Sequence, residues 1–226
     1  MTRRVWPYVL LVEGKDELRL LPELLELAGI PWPKGEEPVH IKEHDGVDSI
    51  LAAGLIEAEL KATGLKALGI LVDADGDARQ RWEQVRARVA QSFPSFPKDL
   101  DPQGAVYAGP SAPRVGVWVM PDNVRQGMLE TMLLELRTGD QRLAQYAHDA
   151  TVHAREKGAC YREVHREKAE LHVWLAWQDP PGLQIHMGVK AGLLAPNSQV
   201  TSGFVAWFRS LFEVCSSRMV QKVDRW

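Results

Sequence analysis

Residues 69–82 read GILVDADGDARQRW, and this stretch decides how the first half of the chain is organised. An apolar run of strand length ends in three carboxylates on alternate positions, Asp73, Asp75 and Asp77. Carboxylates placed side by side repel one another and are costly to bury without partners, so packing does not explain them. They either cap the following helix in contact with water or hold a cation. In both cases the sequence predicts a strand that ends in an acidic turn.

Apolar runs of similar length recur along the first half, and segments of helical periodicity separate them. The strong runs are YVLLVEG at 8–14, KALGILVD at 66–73 and RVGVWVMPD at 114–122, and PVHIKEHDG at 38–46 predicts a weaker fourth strand. Strands that alternate with helices of this length form parallel units with right-handed crossovers. We therefore expect an α/β fold with a mainly parallel four-stranded sheet that is covered by helices on both faces.

The chain changes character around the fourth of these strands. Residues 93–113, FPSFPKDLDPQGAVYAGPSAP, predict a proline-rich loop before it, whereas the residues from about 127 onward predict helix after helix. Residues 180–199 interrupt these helices with a loop and one short predicted strand. We expect an α/β core over residues 1–135 and a helical extension over 136–226 that packs on the core, because no flexible linker separates them.

The composition is that of a globular protein. The 226 residues carry a net charge of -3 and 45% hydrophobic residues, which is enough for one substantial core. No apolar run is long enough to span a membrane, and the first residues lack the long apolar stretch of a signal peptide, so we expect a cytoplasmic protein. The two cysteines, Cys160 and Cys215, are too far apart for a CxxC motif, which disfavours a zinc site.

Three of the predicted strands end in acidic residues. Glu13 follows the first strand, Asp73 and Asp75 follow the third, and Asp122 follows the fourth. In an open parallel sheet, ligands bind beyond the carboxyl ends of the strands, where these side chains meet. Alternate residues of an extended segment point the same way, so Asp73 and Asp75 can face one ion. Oxygen ligands of this kind favour Mg²⁺ or Mn²⁺.

Simpler roles remain open for each of these acids taken alone. Asp75 or Asp77 can be the N-cap of the following helix, because aspartate is a favoured capping residue and the helix dipole stabilises its charge. Glu13 alone is an ordinary strand end. The neighbouring Gly14 permits a sharp turn and a close approach to a ligand, and the combined pattern is therefore more typical of a cation site.

The segments LLVEGKDE at 10–17 and GILVDADGDA at 69–78 together resemble the Toprim domain, the catalytic module of topoisomerases, primases and some nucleases. That family has a Glu-Gly after its first strand, here Glu13 and Gly14, and an Asp-x-Asp-x-Asp after a later strand, here the three aspartates. The resemblance covers roughly residues 5–135 and implies a Toprim-like, Rossmann-like fold. It also implies a Mg²⁺- or Mn²⁺-dependent nuclease whose substrate is DNA or RNA.

The resemblance implies a role for each acid. Glu13 is expected to bind metal or to act as the general base, and Asp73, Asp75 and Asp77 are expected to bind metal. The VEGKD opening is similar to that of small ribosomal-RNA maturation nucleases and of OLD-type nucleases, which carry a second acid four residues after the first. Glu17 occupies that position and is expected to hold a second ion, although an exposed helix residue is an equally simple explanation.

OLD-type nucleases also place a lysine in their C-terminal helical part, and Lys168 is the candidate for that catalytic role. In REKAELHVW it shares a helix face with His165 and His172, and its charge would meet the charge that develops on phosphate. A solvated helix face of mixed charge is the alternative. The stretch RVGVWVMPDNVRQGMLETMLLEL is similar to a stand-alone Toprim-type group, which makes Asp122 a further metal ligand and Glu130 a further candidate.

Basic residues that follow the aspartates are candidates for contact with a nucleic-acid backbone. Arg79 and Arg81 begin two stripes on the predicted helix, and Arg86 and Arg88 continue them two turns further on. Glu83 interrupts these stripes, so a helix covered by surface salt bridges is the alternative.

Three functions remain open at this point. The first is a metal-dependent nuclease, and the second is a non-catalytic Toprim-fold module that binds a nucleotide or nucleic acid within a larger assembly. The third, a receiver-like phosphoacceptor domain, is disfavoured because it expects its acidic pair after the first strand. The sequence contains no GxxxxGK(S/T) motif, so the ATPase half of OLD-type proteins is not expected.

Overall fold

The computed structural model describes residues 5–109, 112–196 and 198–214. The sequence predicts a last helix over residues 203–223, and the part of it beyond residue 214, which includes Cys215, lies outside the described residues. The strands and helices follow in chain order as β1 (Tyr8–Val12), α1 (Lys15–Leu27), β2 (His40–Glu43), α2 (Val47–Ile50), α3 (Leu55–Leu60), β3 (Ala67–Asp73), α4 (Ala78–Val89), β4 (Ala105–Tyr107), β5 (Arg114–Met120), α5 (Leu129–Glu135), α6 (Gln141–Glu156), α7 (Arg166–Ala176), α8 (Ile185–Lys190) and α9 (Ser198–Phe212). A single turn of 3-10 helix, Glu163–His165, precedes α7.

Five strands form one sheet in the order β2-β1-β3-β5-β4. β1, β2, β3 and β5 run parallel to one another, whereas β4 pairs with β5 in the antiparallel direction. The predicted α/β class with a mostly parallel sheet is confirmed. The predicted number of four strands is wrong, because β4 lies inside the segment predicted as a proline-rich loop. Its three residues are too few to show the alternation that marks a strand, and β4 forms where β5 presents an edge for pairing.

Two further predictions differ from the structure. Residues 47–64 lie between the second and third predicted strands, and their helical periodicity predicts one helix. They form two short helices instead, α2 and α3. Gly54 separates them with a left-handed backbone, at a φ of 83°, which a glycine adopts without strain. The short strand predicted within residues 180–199 is instead the helix α8. A short apolar run does not distinguish a strand from a buried helix by periodicity alone.

Alternate residues of the strands face two separate helical layers. In β1, Leu10 and Val12 belong to one core cluster, and Val9 and Leu11 belong to the other. The first layer consists of α1, α5, α6, α7, α8 and α9, and the second contains α4, whose Trp82 is buried. Because both faces are covered, the parallel strands read as nearly continuous apolar runs.

The helix α9 lies against β3 and β5 at two glycines. A Cβ atom at Gly69 would lie 2.8 Å from the Phe212 ring, and one at Gly116 would lie 2.6 Å from a methyl carbon of Leu211. The absence of these side chains lets the helix approach the strand backbones closely. Residues beyond 135 therefore supply part of the helical cover of the sheet. None of the helices in the described segments is long and apolar enough to cross a membrane.

A candidate acidic site at the carboxyl edge of the sheet

A cavity of about 430 Å³ opens beyond the carboxyl ends of β1 and β3. This edge is where ligands bind in open parallel sheets. Most of the charged side chains that line the cavity are acids, namely Glu13, Glu17, Asp45, Asp48, Asp73, Asp75 and Glu130. The helical second half adds Arg162, Val164, His165 and Lys168 to the lining. The cavity therefore joins an acidic wall from the sheet to a more basic wall from the helices.

Glu13 and Asp73 connect the ends of two neighbouring strands. Glu13 Oε1 accepts a hydrogen bond of 2.8 Å from the Asp73 backbone N–H, and Asp73 Oδ1 accepts one of 2.9 Å from the Leu129 N–H. Burial raises the pKa of Glu13 above its ordinary value, despite the bond to the Asp73 backbone. Burial also raises the pKa of Asp73 well above its ordinary value, and the charges of Glu13, Glu17 and Glu130 raise it further.

Glu17 lies in the first turn of α1, directly beside this pair. Its Oε2 accepts a hydrogen bond of 3.1 Å from the Gly14 N–H and so caps the helix. Glu17 is only 8% exposed, so it is not the exposed helix residue that the simpler explanation predicts. Burial, together with the charges of Glu130 and Glu13, raises the pKa of Glu17 to about 7. A carboxyl group of this kind exchanges its proton near neutral pH.

Lys168 extends from α7 into the acidic cavity. Its Nζ lies 2.9 Å from Glu130 Oε1 and 3.3 Å from Asp16 Oδ2. Partial burial lowers the pKa of Lys168, but the charges and hydrogen bonds of Glu130 and Asp16 outweigh it and raise the pKa above its ordinary value. The lysine therefore stays charged and offsets part of the negative charge of the cavity, which it lines together with Glu13 and Asp73.

Arg81, predicted as a contact for nucleic acid, lies against the acidic turn instead of extending into solvent. Its Nη2 is 2.7 Å from Asp75 Oδ2, its Nε donates to the Asp73 carbonyl at 2.8 Å, and its side chain is 12% exposed. Asp75 itself has a left-handed φ of 53°, and its backbone exchanges two hydrogen bonds of 2.8 Å with Gly127. Arg81 therefore neutralises Asp75 and stabilises the turn that presents it.

Three other predicted site residues do not line the cavity. Asp77 caps α4, because its Oδ1 accepts a hydrogen bond of 2.8 Å from the Arg79 N–H. Asp122 accepts a hydrogen bond from the Arg125 N–H and also pairs with the Arg125 side chain. Burial raises the pKa of Asp122, but these bonds outweigh burial and lower the pKa below its ordinary value. Arg79 is exposed, with its Nε 3.5 Å from Glu83 Oε1.

Several of the lining residues were not singled out from the sequence, among them Asp45, Asp48, Arg162 and Val164. The Gly46 N–H donates to the Glu13 carbonyl oxygen at 3.0 Å, and this bond brings the loop after β2 beside the end of β1. A signal for this loop was present, because β2 also ends in an acidic segment, HDGVD. Arg162 and Val164 reach the cavity through the packing of α7, which no local sequence pattern reveals.

The lining offers oxygen ligands, which suit a hard divalent cation such as Mg²⁺. Among the residues that the structure describes, no three His, Cys, Asp or Glu side chains stand together as a ready-made ligand set. The acids instead accept hydrogen bonds from the backbone or pair with Arg81 and Lys168. Burial raises the pKa of Glu13, Glu17 and Asp73, and the charges of neighbouring carboxylates add to the rise at each of them. The donor set therefore fits a cation that would relieve this repulsion.

The chain was compared with known proteins over its whole length. A family model described as "Protein of unknown function (DUF3226)" matches residues 7–213. No curated protein and no solved structure matches it. The matched range runs from just before β1 to just after α9, so it includes both the acidic wall and the helices that complete the cavity.

Proposed function

Since this chain belongs to the DUF3226 family, whose description gives no function, we propose from the geometry of the cavity that it is a Mg²⁺- or Mn²⁺-dependent nuclease with a Toprim-like fold. The substrate would be DNA or RNA, and the reaction would be hydrolysis of a phosphodiester bond. One observation carries the proposal. Carboxylates from separate parts of the chain line one cavity together with a lysine, and they include Glu13, Glu17, Asp73, Asp75 and Glu130.

The excess of negative charge is the physical reason to expect a cation. Buried carboxylates that repel one another destabilise a protein unless a positive group compensates them. Lys168 pairs with Glu130, and Arg81 pairs with Asp75. Burial raises the pKa of Asp73, and the like charges of Glu13, Glu17 and Glu130 raise it further. A fold that retains such repulsion has a use for it, and binding of a divalent cation is the most direct one.

The Toprim-like fold is supported by the position of the two acidic segments. Glu13 and Asp73 stand at the ends of β1 and β3, which are neighbours in the sheet, and a hydrogen bond joins them directly. The resemblance rests on these two segments, in this order and at strand ends. The extra antiparallel edge strand β4 lies on the far side of β5 and does not disturb this arrangement.

The chemistry follows from the groups available. When bound, a divalent cation activates a water molecule and stabilises the leaving oxygen in phosphodiester cleavage. The water oxygen forms a bond to phosphorus while the bond from phosphorus to one sugar oxygen breaks. A carboxylate accepts the proton of the water, and the leaving oxygen takes up a proton, which yields a phosphomonoester and a free hydroxyl group.

This chain's own residues divide these tasks. Asp73 and Asp75 would hold the cation, and Glu13 would hold it or accept the proton of the water, as its raised pKa suits. Glu17 would hold a second ion. Lys168 would place a positive charge near the scissile phosphate, where charge develops during the reaction.

A non-catalytic module that binds a nucleotide or nucleic acid within a larger assembly is the second candidate function. Its support is the extent to which the acids already have partners, because Glu13 and Asp73 accept backbone hydrogen bonds and Asp75 pairs with Arg81. A site used only for binding does not need these oxygens to coordinate metal. This candidate predicts association with nucleic acid and no cleavage.

The test is an incubation of the purified chain with single- and double-stranded DNA and RNA in Mg²⁺ or Mn²⁺, with EDTA as control. We expect cleavage that EDTA abolishes. Glu13→Gln preserves shape but removes the charge and the basicity, so the rate should fall by about a hundredfold or more. Glu43→Gln is the matched control, since Glu43 also ends a strand but is exposed and does not line the cavity.

The outcomes separate the candidates. Cleavage by the wild type that persists in Glu13→Gln would contradict the proposed site. Binding without cleavage of any of these substrates would favour the non-catalytic module. An equal loss of activity in Glu43→Gln would show that the rate falls when any carboxylate charge is removed, and not because Glu13 acts in the site.

A further inference from the structure

Part of the cavity lining comes from Arg162, Val164 and His165, to which sequence analysis assigned no functional role. Arg162 is the N-cap of the 3-10 turn Glu163–His165 that precedes α7, and Val164 lies within that turn. Arg162, Val164 and His165 line the same cavity as Glu13 and Asp73. Basic and apolar residues thus share with the acids the lining of a cavity of about 430 Å³.

Arg162 differs from the other arginines of its segment in its partner. Arg155 and Arg166 both form ion pairs with Glu163. The Arg162 guanidinium instead donates from Nη2 to His165 Nε2 at 2.9 Å, and within the described part of the chain it forms no ion pair. A guanidinium carries five N–H donors in a planar fork that matches the oxygens of a phosphate group. Arg162 lines the cavity, and its bond to His165 uses only one of these donors.

His165 and Val164 give this wall two further properties. Because His165 Nε2 accepts from Arg162, the imidazole carries its proton on Nδ1, which leaves a second donor beside the guanidinium. Val164 is 40% exposed and adds an apolar surface to the same wall. Donors next to an apolar side chain suit a phosphate that carries a sugar and a base better than they suit inorganic phosphate.

The depth and size of the cavity restrict the form of the substrate. Its volume lies in the lower part of the range for small-molecule sites, which is about 300–1,000 Å³, and the acids Glu17 and Asp73 stand at its buried side. A single nucleotide unit fits such a space. If the base of that nucleotide lies against Val164, it cannot at the same time be stacked and paired inside a double helix, so a single strand fits this cavity better than a duplex.

We propose that Arg162, Val164 and His165 bind one nucleotide of a single-stranded nucleic acid, with the phosphate held by the Arg162 guanidinium. The inference rests on the proposed nuclease function and names the substrate form and the residues that position it. Lys168 and the acids act on the bond that is cut, whereas the Arg162 wall holds the strand beside it.

The experiment measures binding and metal response separately. Fluorescence anisotropy follows a short fluorescein-labelled strand of thymidylate, alone and paired with its complement, with Ca²⁺ as the divalent cation. Thermal melts with and without Mn²⁺ follow the metal response of the same proteins. The variants are Arg162→Gln and, as the matched control, Arg166→Gln, which makes the same charge change four residues away at a residue that does not line the cavity.

We expect the wild type to bind the single strand more tightly than the duplex. Arg162→Gln should weaken single-strand binding by about tenfold. The slope of the logarithm of the binding constant against the logarithm of the salt concentration should become shallower by the contribution of about one phosphate contact. Arg166→Gln should bind like the wild type, and both variants should keep the Mn²⁺ response. Unchanged binding in Arg162→Gln, equal loss in Arg166→Gln, or preference for the duplex would overturn the inference.

Failure of the proposed function has a different signature. If the wild type shows no Mn²⁺ response and no cleavage, yet binds the single strand through Arg162, the binding wall stands and the nuclease proposal falls. If the Mn²⁺ response is present but Arg162→Gln binds normally, the metal site stands and the inference about the wall is wrong.

Discussion

Two glutamates of the helical layer, Glu130 and Glu170, are buried to almost the same extent but lie in opposite electrostatic surroundings. Glu130 is 2% exposed and Glu170 is 4% exposed. Glu170 Oε1 is 2.9 Å from Arg137 Nη1, and its Oε2 is 2.8 Å from His148 Nδ1, so each carboxylate oxygen has its own partner. We refer to Arg137, His148 and Glu170 as the balanced cluster.

Glu130 belongs to the acidic cluster, which also contains Glu13, Glu17, Asp73 and Asp75. Its cation, Lys168, is shared with Asp16. Burial raises the pKa of Glu17 and of Asp73, and repulsion from the other carboxylates raises both further. The comparison teaches that burial of a charge does not mark a functional site, because a satisfied ion pair is equally buried. An excess of one sign of charge is the better indicator.

The largest expected effect is on the balanced cluster. Glu170→Gln leaves the Arg137 guanidinium, whose side chain is 15% exposed, without its anionic partner. Removal of one member of a buried pair costs about 3 kcal/mol or more, so the free energy of unfolding should fall by that amount. Urea denaturation measures it. A loss below about 1 kcal/mol, as for a surface pair, would remove the contrast between the two clusters.

The second prediction concerns the pH dependence that the acidic cluster imposes. The pKa of Glu17 is about 7 in the folded chain, against an ordinary value of 4.5. The folded state therefore binds this proton more tightly than the unfolded state, and stability is lost as the pH rises from about 4.5 to about 7. The loss should amount to roughly 3 kcal/mol at one site.

Urea denaturation over that pH window, in the absence of divalent cations, tests this second prediction. Glu17→Gln does not titrate, so its stability should fall less steeply with pH than that of the wild type. Glu43→Gln serves as the comparison variant, because Glu43 is exposed and does not line the cavity, and it should keep the wild-type slope. Parallel curves for Glu17→Gln and the wild type would mean that Glu17 is not the group responsible.

The third prediction applies the same chemical change, acid to amide, to the acidic cluster. Asp73→Asn removes a repelled charge but keeps an oxygen that can accept from the Leu129 N–H. In metal-free buffer at pH 7, the free energy of unfolding should rise by about 1 kcal/mol. The stabilisation by Mn²⁺ should disappear. A destabilisation as large as that expected for Glu170→Gln would show that the two clusters do not differ in kind.

The smallest expected effect is at Asp75, which belongs to the acidic cluster but has its own cation. Asp75→Asn breaks the pair with Arg81, so in metal-free buffer we expect a loss of less than about 1 kcal/mol in place of the gain at Asp73. Paired thermal melts of the two variants measure the difference in sign. A gain in both would mean that Arg81 does not neutralise Asp75.

The alternation of apolar runs and helices was sufficient to predict the α/β class, because β1, β3 and β5 are buried on both faces and each is a nearly continuous apolar run. β4 was missed for the opposite reason. Its three residues pair only because β5 is already in place, and such a dependence on a distant strand leaves no local pattern. The break between α2 and α3 was missed as well, because the left-handed backbone of Gly54, the N-cap of α3, does not change the spacing of the apolar residues.

The acidic wall could be anticipated because strand ends converge in any parallel sheet, and Glu13 and Asp73 are in direct contact. The fate of individual side chains could not. Asp77 and Arg81 lie near Asp73 in sequence, yet one caps α4 and the other neutralises Asp75. These choices depend on which backbone groups and charges lie nearby in space. The cavity lining at Arg162 depends on long-range packing and was not predictable at all.

The close contact of α9 with Gly69 and Gly116 also bears on how the chain is synthesised. α9 (Ser198–Phe212) is far along the chain, whereas the strands that it covers are made much earlier. While the ribosome is still extending the chain, β3 and β5 therefore lack the Leu211 and Phe212 side chains that cover these glycines. We expect the nascent sheet to stay open on that face, and vulnerable to association with other chains, until translation has passed α9.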